Sequence, residues 1–116
     1  MQKVCVDLQS EGVNMECVMG RFMGNEALYI KFLKRFMEDE SFQTMQEQFK
    51  KGNLEEAFKA AHTLTGLTAT LGLDGIMVSV VPITEKLRAG SEDGVKELME
   101  QVAREYEVVF GILQGC

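Results

Sequence analysis

Apolar side chains recur at intervals of three and four residues through most of this 116-residue chain. An α-helix turns by about 100° per residue, so this spacing places the apolar side chains on one face of a helix. Proline, the strongest helix breaker, occurs once, and many of the 11 glycines stand between the apolar segments. The pattern predicts an all-α protein, in which four substantial amphipathic helices joined by short loops form an antiparallel four-helix bundle.

The clearest segments lie in the second half of the chain. Residues 54–71 carry a broad apolar face, with Asn53 before them as the expected N-cap and Gly72 after them as the expected C-cap. Residues 95–113 keep their apolar side chains in helical register throughout. Between these two helices, we expect Asp74 to cap a third one.

The segment after Asp74 leaves a choice between helix and strand. Several of its residues, among them Val78, Val80 and Ile83, are β-branched and suit a strand. Pro82 costs about 3 kcal/mol inside a straight helix. Because helices flank the segment and no partner strand is apparent, we expect a helix that is kinked at Pro82.

The first half of the chain predicts shorter elements. Residues 1–12 fit either a short helix or an extended arm. A short additional helix is expected from Asn14, as its N-cap, to about Phe22, and Gly24 ends it. We then expect Asn25 to cap the next helix, with an acidic residue in its first turn, where the helix dipole favours negative charge.

The apolar stripe of that next helix changes phase between residues 38 and 42. The apolar residues before the change point to nearly the opposite side from those after it. We therefore expect a break or kink, with Ser41 capping a new helix. Such a break can expose a large apolar side chain, namely Phe32, Phe36, Phe42 or Met45. An exposed apolar patch of this kind often marks a partner site.

Charge and composition exclude several functional classes. The chain has 12 Lys+Arg against 18 Asp+Glu, a formal net charge of −6 with no basic block, so we expect no nucleic-acid binding. No apolar run reaches the roughly 20 residues that span a bilayer, and the polar start resembles no signal peptide. We expect one domain over residues 1–116 that is cytoplasmic, has no membrane contact and is a stand-alone monomer.

A single histidine, His62, confines histidine chemistry to one position. The three cysteines are widely spaced and form no CxxC pair, so we expect no metal site. On a helical wheel, His62 falls about 120° from the centre of the apolar face, at the border between core and solvent. A histidine at such a border is usually an ordinary surface residue, so any functional interpretation depends on its neighbours.

Five neighbours on the helix surface point to more than an ordinary surface residue. Phe58, one turn before the histidine, can pack on its ring, and Lys59 supplies a positive charge for a nearby anion. Gly66, one turn after it, costs about 1 kcal/mol relative to Ala inside a helix and therefore calls for a reason. One reason is a gap open to a partner surface, which Thr65 and Ala69 widen. The other is a close contact with a second helix.

The segment HTLTG (His62 to Gly66), followed by Leu71-Gly72, resembles the signature H-x-L-K-G-x(4)-L-G of histidine phosphotransfer (HPt) domains. The lead-in GNLEEAFKAAHTL, the earlier NEALYIKFLKRF and the downstream TEKLRAG are also similar to that family. The resemblance covers roughly residues 12–113. It implies a four-helix bundle whose exposed histidine, His62, is transiently phosphorylated, with Gly66 letting the partner approach closely.

The chain departs from the family pattern at Thr65, where the family usually has a lysine that helps to hold the phosphoryl group. Threonine can donate one hydrogen bond but carries no charge. Lys59 is a candidate substitute for the missing lysine. Lys86 and Arg88 are further candidates if the fold brings them near His62.

The resemblance implies a phosphocarrier of a two-component phosphorelay, without a catalytic site that is complete on its own. A neutral imidazole is a competent nucleophile near neutral pH, and its outer nitrogen would attack a phosphoryl group on a receiver-domain aspartate or one supplied by a sensor histidine kinase. We expect no cofactor in this chain, and Mg²⁺ only on the partner response-regulator receiver domain.

Two alternatives to the phosphocarrier stay open. The first is a bundle that docks a receiver or a kinase without carrying phosphate, which the missing lysine at Thr65 favours. The second is a structural bundle that oligomerises through an apolar surface. A hydrolase with His62 as general base fits least, because no Ser or Cys nucleophile stands at a recognisable spacing.

Overall fold

The computed structural model describes residues 2–114, so Met1, Gly115 and Cys116 lie outside the described residues. Within that range the regular elements are all α-helices, which confirms the predicted all-α class. They are α1 (Lys3–Ser10), α2 (Met15–Arg21), α3 (Glu26–Glu38), α4 (Ser41–Lys50), α5 (Leu54–Leu71), α6 (Asp74–Arg88) and α7 (Val95–Leu113). Across residues 2–114, no helix is both long and apolar enough to cross a membrane.

The bundle has four walls, of which α5, α6 and α7 each form one. The first wall consists of α3 and α4 together. Helix α5 packs against both α4 and α6, and α6 packs against α7. Phe36 of α3 and Phe42 of α4 both contact Tyr106 of α7, with ring centroids 5.2 and 4.7 Å from that of the tyrosine, and this closes the bundle. The arrangement confirms the predicted four-helix bundle.

The hydrophobic core draws fully buried side chains from every helix of the described range. One such residue from each helix is Leu8, Val18, Leu33, Met45, Leu64, Ile83 and Val102. The first of these lies in α1, which packs against α7. The beginning of the chain is therefore a short helix with a buried face, and the extended-arm alternative for residues 1–12 is wrong for the residues described.

The predicted break between the two stripes is confirmed at Asp39, whose backbone is extended (φ −72°, ψ 134°). The predicted capping role of Ser41 is wrong. The Asp39 carboxylate accepts a hydrogen bond from the Ser41 N–H at 2.8 Å, and Glu40 occupies the N-cap position. The residue that interrupts α3 thus also satisfies one of the free backbone donors at the start of α4.

The break does not expose the apolar patch that was expected around it. Phe36 and Met45 are 2% and 0% exposed, so this expectation is wrong for both residues. Phe42 is half-buried against Tyr106, and Phe32, at 39% exposure, lies under the guanidinium of Arg35. Because α3 and α4 turn their different apolar faces towards the same core, the phase change leaves only Phe32 of these four residues exposed.

Three of the four predicted asparagine and aspartate N-caps are confirmed, and two of them cap through their side chains. The side chains of Asn14 and Asn25 accept hydrogen bonds from backbone N–H groups three residues later, at 3.1 and 3.0 Å. Asn53 stands at the N-cap position of α5, but its amide donates to Gln48 at 2.8 Å instead of capping the helix. Asp74 is the first residue of α6, so its predicted capping role is wrong.

Helix α6 runs without interruption through Pro82, so the strand alternative for this segment is wrong. Proline lacks the N–H that would bond to the carbonyl of Val78, four residues earlier. Val78 is 69% exposed, so water can satisfy that carbonyl. The hydrogen bond that Pro82 removes therefore lies on the exposed side of α6, where its loss costs least stability. The kink at Pro82 stays a prediction.

The C-terminal end of α5 is anchored by α2 and α3. Gly72 ends α5 in the left-handed conformation (φ 70°), as predicted, and a Cβ at this position would collide with α2. The buried hydroxyl of Tyr29 donates to the carbonyl of Leu71 at 2.6 Å. Arg21 donates to the carbonyl of Ala69 at 2.8 Å. These contacts satisfy carbonyls that the end of a helix leaves free, so α5 is a rigid support.

Candidate functional site

Helix α5 separates its core face from the face that carries the histidine. Ala57, Ala61 and Thr68 are fully buried, whereas His62 is exposed. The burial of these side chains fixes how α5 is rotated in the bundle. The histidine is thus held in a constant direction by a packed helix, although it makes no contribution to the core itself.

The His62 ring has an aromatic neighbour and no polar one. Its centroid lies 6.1 Å from that of the half-buried Phe58, and the two rings are stacked at 28°. Within residues 2–114, no side chain or backbone group forms a hydrogen bond or an ion pair with the imidazole. Both ring nitrogens are therefore open to a reactant, and the stacked phenylalanine limits how far the ring can tilt.

Arg88 of α6 is the cation that the fold brings to this aromatic pair. Its guanidinium carbon lies 5.5 Å from the centroid of the Phe58 ring, the same ring that stacks with His62. One guanidinium nitrogen, Nη1, lies 3.0 Å from both carboxylate oxygens of Glu85. Lys86, the other candidate on α6, faces the start of α7, because its Nζ lies 3.9 Å from the position of a Cβ on Gly94.

The hydroxyl of Thr65 is engaged inside the protein. Its Oγ1 lies 2.9 Å from the carbonyl oxygen of Ala61 and 3.2 Å from the hydroxyl of Thr84 on α6. Thr84 is buried, and its own hydroxyl also lies 3.0 Å from the carbonyl of Val80. The half-buried Thr65 thus joins α5 to α6, and its single proton already has two acceptors in the protein.

Lys59 is exposed and paired with acidic residues of its own helix. Its Nζ lies 3.2 Å from a carboxylate oxygen of Glu56 and 4.0 Å from one of Glu55. The hydrogen bond to Glu56 and the charges of both glutamates raise the pKa of Lys59 above its ordinary value. Both partners precede Lys59 in α5, whereas His62 follows it, so the ammonium group is drawn away from the imidazole.

Gly66, one turn after His62, leaves open space on the surface of α5. A Cβ placed on Gly66 would meet no atom within 4 Å, so the alternative of a close helix–helix contact at this glycine is wrong. Ala69, one turn further on, is only partly buried and carries a single methyl group. The two residues leave the backbone of α5 accessible beside the histidine.

Sequence reasoning missed two residues of this site, Thr84 and Glu85. Each had a signal in the sequence. A threonine among the apolar residues of α6 is a polar group that needs a buried partner, and glutamate three residues before Arg88 is an ion-pair spacing on a helix. Across residues 2–114, no group of three or more His, Cys, Asp or Glu side chains is arranged to hold a metal ion.

Comparison with known proteins identifies one family. A family model described as the Hpt domain matches residues 29–110, which is more than half of the chain and includes His62. The match begins inside α3 and ends inside α7, so α1 and α2 lie outside it. No curated protein and no solved structure matches the chain.

Proposed function

Because this chain belongs to the Hpt domain family, we propose that His62 is its phosphorylated residue and exchanges a phosphoryl group with an aspartate of a response-regulator receiver domain. Hpt domains are histidine phosphotransfer modules that interact with receiver domains and kinases in phosphorelays. The observation that carries the proposal is the setting of His62, which is the single histidine of the sequence. It is exposed on a packed helix, has no hydrogen-bond partner within residues 2–114, and lies one turn before the open space at Gly66.

The proposed transfer is a substitution at phosphorus. The lone pair of Nε2, the ring nitrogen farther from the helix backbone, attacks the phosphorus atom of an aspartyl phosphate on the receiver. An N–P bond forms, the P–O bond to the aspartate breaks, and its electron pair leaves with the aspartate carboxylate. The proton on Nδ1 stays on the imidazole. In the reverse direction, an aspartate oxygen attacks the phosphohistidine and the neutral imidazole leaves.

This chain supplies positioning, and its partner supplies most of the catalysis. Phosphoryl transfer requires an in-line arrangement of the attacking and leaving atoms, together with neutralisation of the charge on the phosphoryl oxygens. The stacked Phe58 holds the imidazole, and the open surface at Gly66 and Ala69 lets the receiver bring its aspartate close. In this proposal the Mg²⁺ ion belongs to the receiver domain, and this chain holds no cofactor.

A transfer assay with two proteins tests the proposal. A receiver domain is phosphorylated with a labelled small-molecule phosphodonor, freed of the donor, and mixed with the wild-type chain or with His62→Gln. We expect label on the wild type that is lost in acid and retained in base, the behaviour of a phosphohistidine. We expect none on His62→Gln, whose circular dichroism and melting temperature should match the wild type because position 62 is exposed.

Three results would count against the proposal. Equal labelling of the wild type and His62→Gln would mean that another residue accepts the phosphoryl group. A wild type that binds the receiver but never acquires label would indicate a docking module without phosphate. A wild type that neither binds nor acquires label from the receivers and kinases of its own cell would indicate a structural bundle.

A further inference from the structure

A phosphoryl group on His62 needs a positive charge that Thr65, Lys59 and Lys86 do not provide. The chain carries a formal net charge of −6, so each added negative charge is repelled unless a local cation offsets it. Thr65 is uncharged and its hydroxyl is engaged by Ala61 and Thr84. Lys59 is paired with two glutamates, and Lys86 faces Gly94.

Arg88 differs from these residues in its position, and its present contact with Glu85 is weak. Phe58 contacts both the His62 ring and the Arg88 guanidinium, so the cation and the imidazole share one aromatic neighbour. The ion pair between Arg88 and Glu85 is exposed, with 55% and 60% of the two side chains accessible. An exposed pair contributes little stability, so the guanidinium can leave Glu85 at little cost.

Resting on the proposed function, we propose that Arg88 binds the phosphoryl group on His62 and takes the role of the lysine that is missing at position 65. The guanidinium moves across the face of Phe58, leaves Glu85, and donates N–H hydrogen bonds to the phosphoryl oxygens. Arginine suits this role because its planar group matches two phosphoryl oxygens at once. Arg88 reaches the site from α6, one helix away from the family's usual lysine position.

Phosphoramidate tests this proposal without any partner protein. When it phosphorylates the histidine, its N–P bond breaks, ammonia leaves, and a new N–P bond forms to the imidazole. The rate of labelling and the lifetime of the phosphohistidine are measured for the wild type, Arg88→Ala and Lys86→Ala. The lysine variant is the matched control, because it removes the same charge from the same helix on the side that faces α7.

We expect Arg88→Ala to be labelled about fivefold more slowly than the wild type, the effect of losing one exposed charge contact. Its phosphohistidine should also have a shorter lifetime. Lys86→Ala should behave as the wild type does. Adding Thr65→Lys to Arg88→Ala should restore the rate, because the lysine then stands where the family pattern has it.

A fourth variant, Glu85→Gln, separates phosphoryl binding from a structural role. If the Arg88–Glu85 pair merely stabilised α6, Glu85→Gln and Arg88→Ala would slow the reaction alike, and that result would overturn the proposal. The proposal expects the opposite direction, because Glu85→Gln releases Arg88 for the phosphoryl group and labelling becomes faster. Equal rates for Arg88→Ala and Lys86→Ala would also overturn it. In both cases, the proposed function would still hold if the wild type is labelled and His62→Gln is not.

Discussion

Substitutions of Gly66, the glycine beside the histidine, should separate stability from function: a small side chain should raise stability, and a large one should slow exchange with the partner. Gly66 has helical backbone dihedrals and an open space around its missing side chain. Alanine restricts the unfolded chain more than glycine does and suits a helix better, so Gly66→Ala should raise the free energy of unfolding by about 1 kcal/mol. For a domain of this size, that gain corresponds to a rise in melting temperature of about 4 °C.

Gly111 of α7 is the matched control for this experiment. It is also a helical glycine at which an added Cβ would meet no atom within 4 Å, and it lies on a different wall of the bundle from Gly66. Gly111→Ala should therefore give the same gain in thermal stability, measured by calorimetry or by circular dichroism. Equal gains at the two positions would show that nothing in the folded chain itself requires glycine at position 66.

A larger side chain at position 66 should obstruct the partner but not the chemistry. We expect Gly66→Leu to be labelled by phosphoramidate at the wild-type rate and to exchange phosphate with a receiver domain at least tenfold more slowly. A displacement of about 1 Å between reacting groups can cost about a hundredfold in rate. Gly111→Leu should be normal in both assays. Wild-type exchange by Gly66→Leu would refute the inference that the receiver approaches over this glycine.

Other residues give further expectations. Lys59→Ala should slow phosphoramidate labelling less than Arg88→Ala does, because the glutamates that pair with Lys59 draw its ammonium away from His62, whereas Arg88 lies beside Phe58. A larger effect of Lys59→Ala would contradict this reasoning. Tyr29→Phe should lower the free energy of unfolding by about 1–2 kcal/mol in denaturant titrations, since the buried carbonyl of Leu71 loses its donor. Burial raises the pKa of Tyr29 and of Tyr106, so the unfolded chain releases these phenolic protons at lower pH than the folded one. Stability should thus be complete below about pH 10 and fall above it, less steeply in Tyr29→Phe and Tyr106→Phe, and an unchanged slope would contradict this assignment.

The helix order and the faces of α5 could be predicted because both follow from the local spacing of apolar residues. Alanine, leucine and threonine at helical intervals are enough to distinguish the buried side of α5 from the side that carries His62. The caps at Asn14 and Asn25 were predictable for a similar reason. Each side chain bonds a backbone group three residues away and needs no other part of the fold.

The errors arise where a distant or competing partner decides the local structure. Asp39 bonds the Ser41 N–H, and Glu40 takes the N-cap position that was expected of Ser41. Asn53 keeps its predicted N-cap position but turns its amide to Gln48. Leu73 is buried at 2% exposure and takes the N-cap position that was expected of Asp74. None of these preferences can be obtained from cap propensities, because each depends on which neighbouring group is within reach.

The choice of cation at the site depends on packing between helices. Lys86 and Arg88 are two residues apart, so they lie on different sides of α6. Which of them faces α5 is decided by how α6 is rotated in the bundle. That rotation is set by buried residues such as Val80 and Ile83 and by the contact between Thr84 and Thr65. The sequence alone leaves both candidates open, and the packed helices bring Arg88 to Phe58.

Localisation of the phosphoryl group by mass spectrometry tests the proposed role of His62 most directly. The chain is phosphorylated by a phosphorylated receiver domain and digested with trypsin at alkaline pH, where phosphohistidine survives. The phosphocarrier function predicts that the modification lies in the peptide of residues 60–86, on His62, and that brief acid treatment removes it. A modification that survives acid, or one that maps to any other residue, would contradict the assignment of His62 as the phosphoryl acceptor.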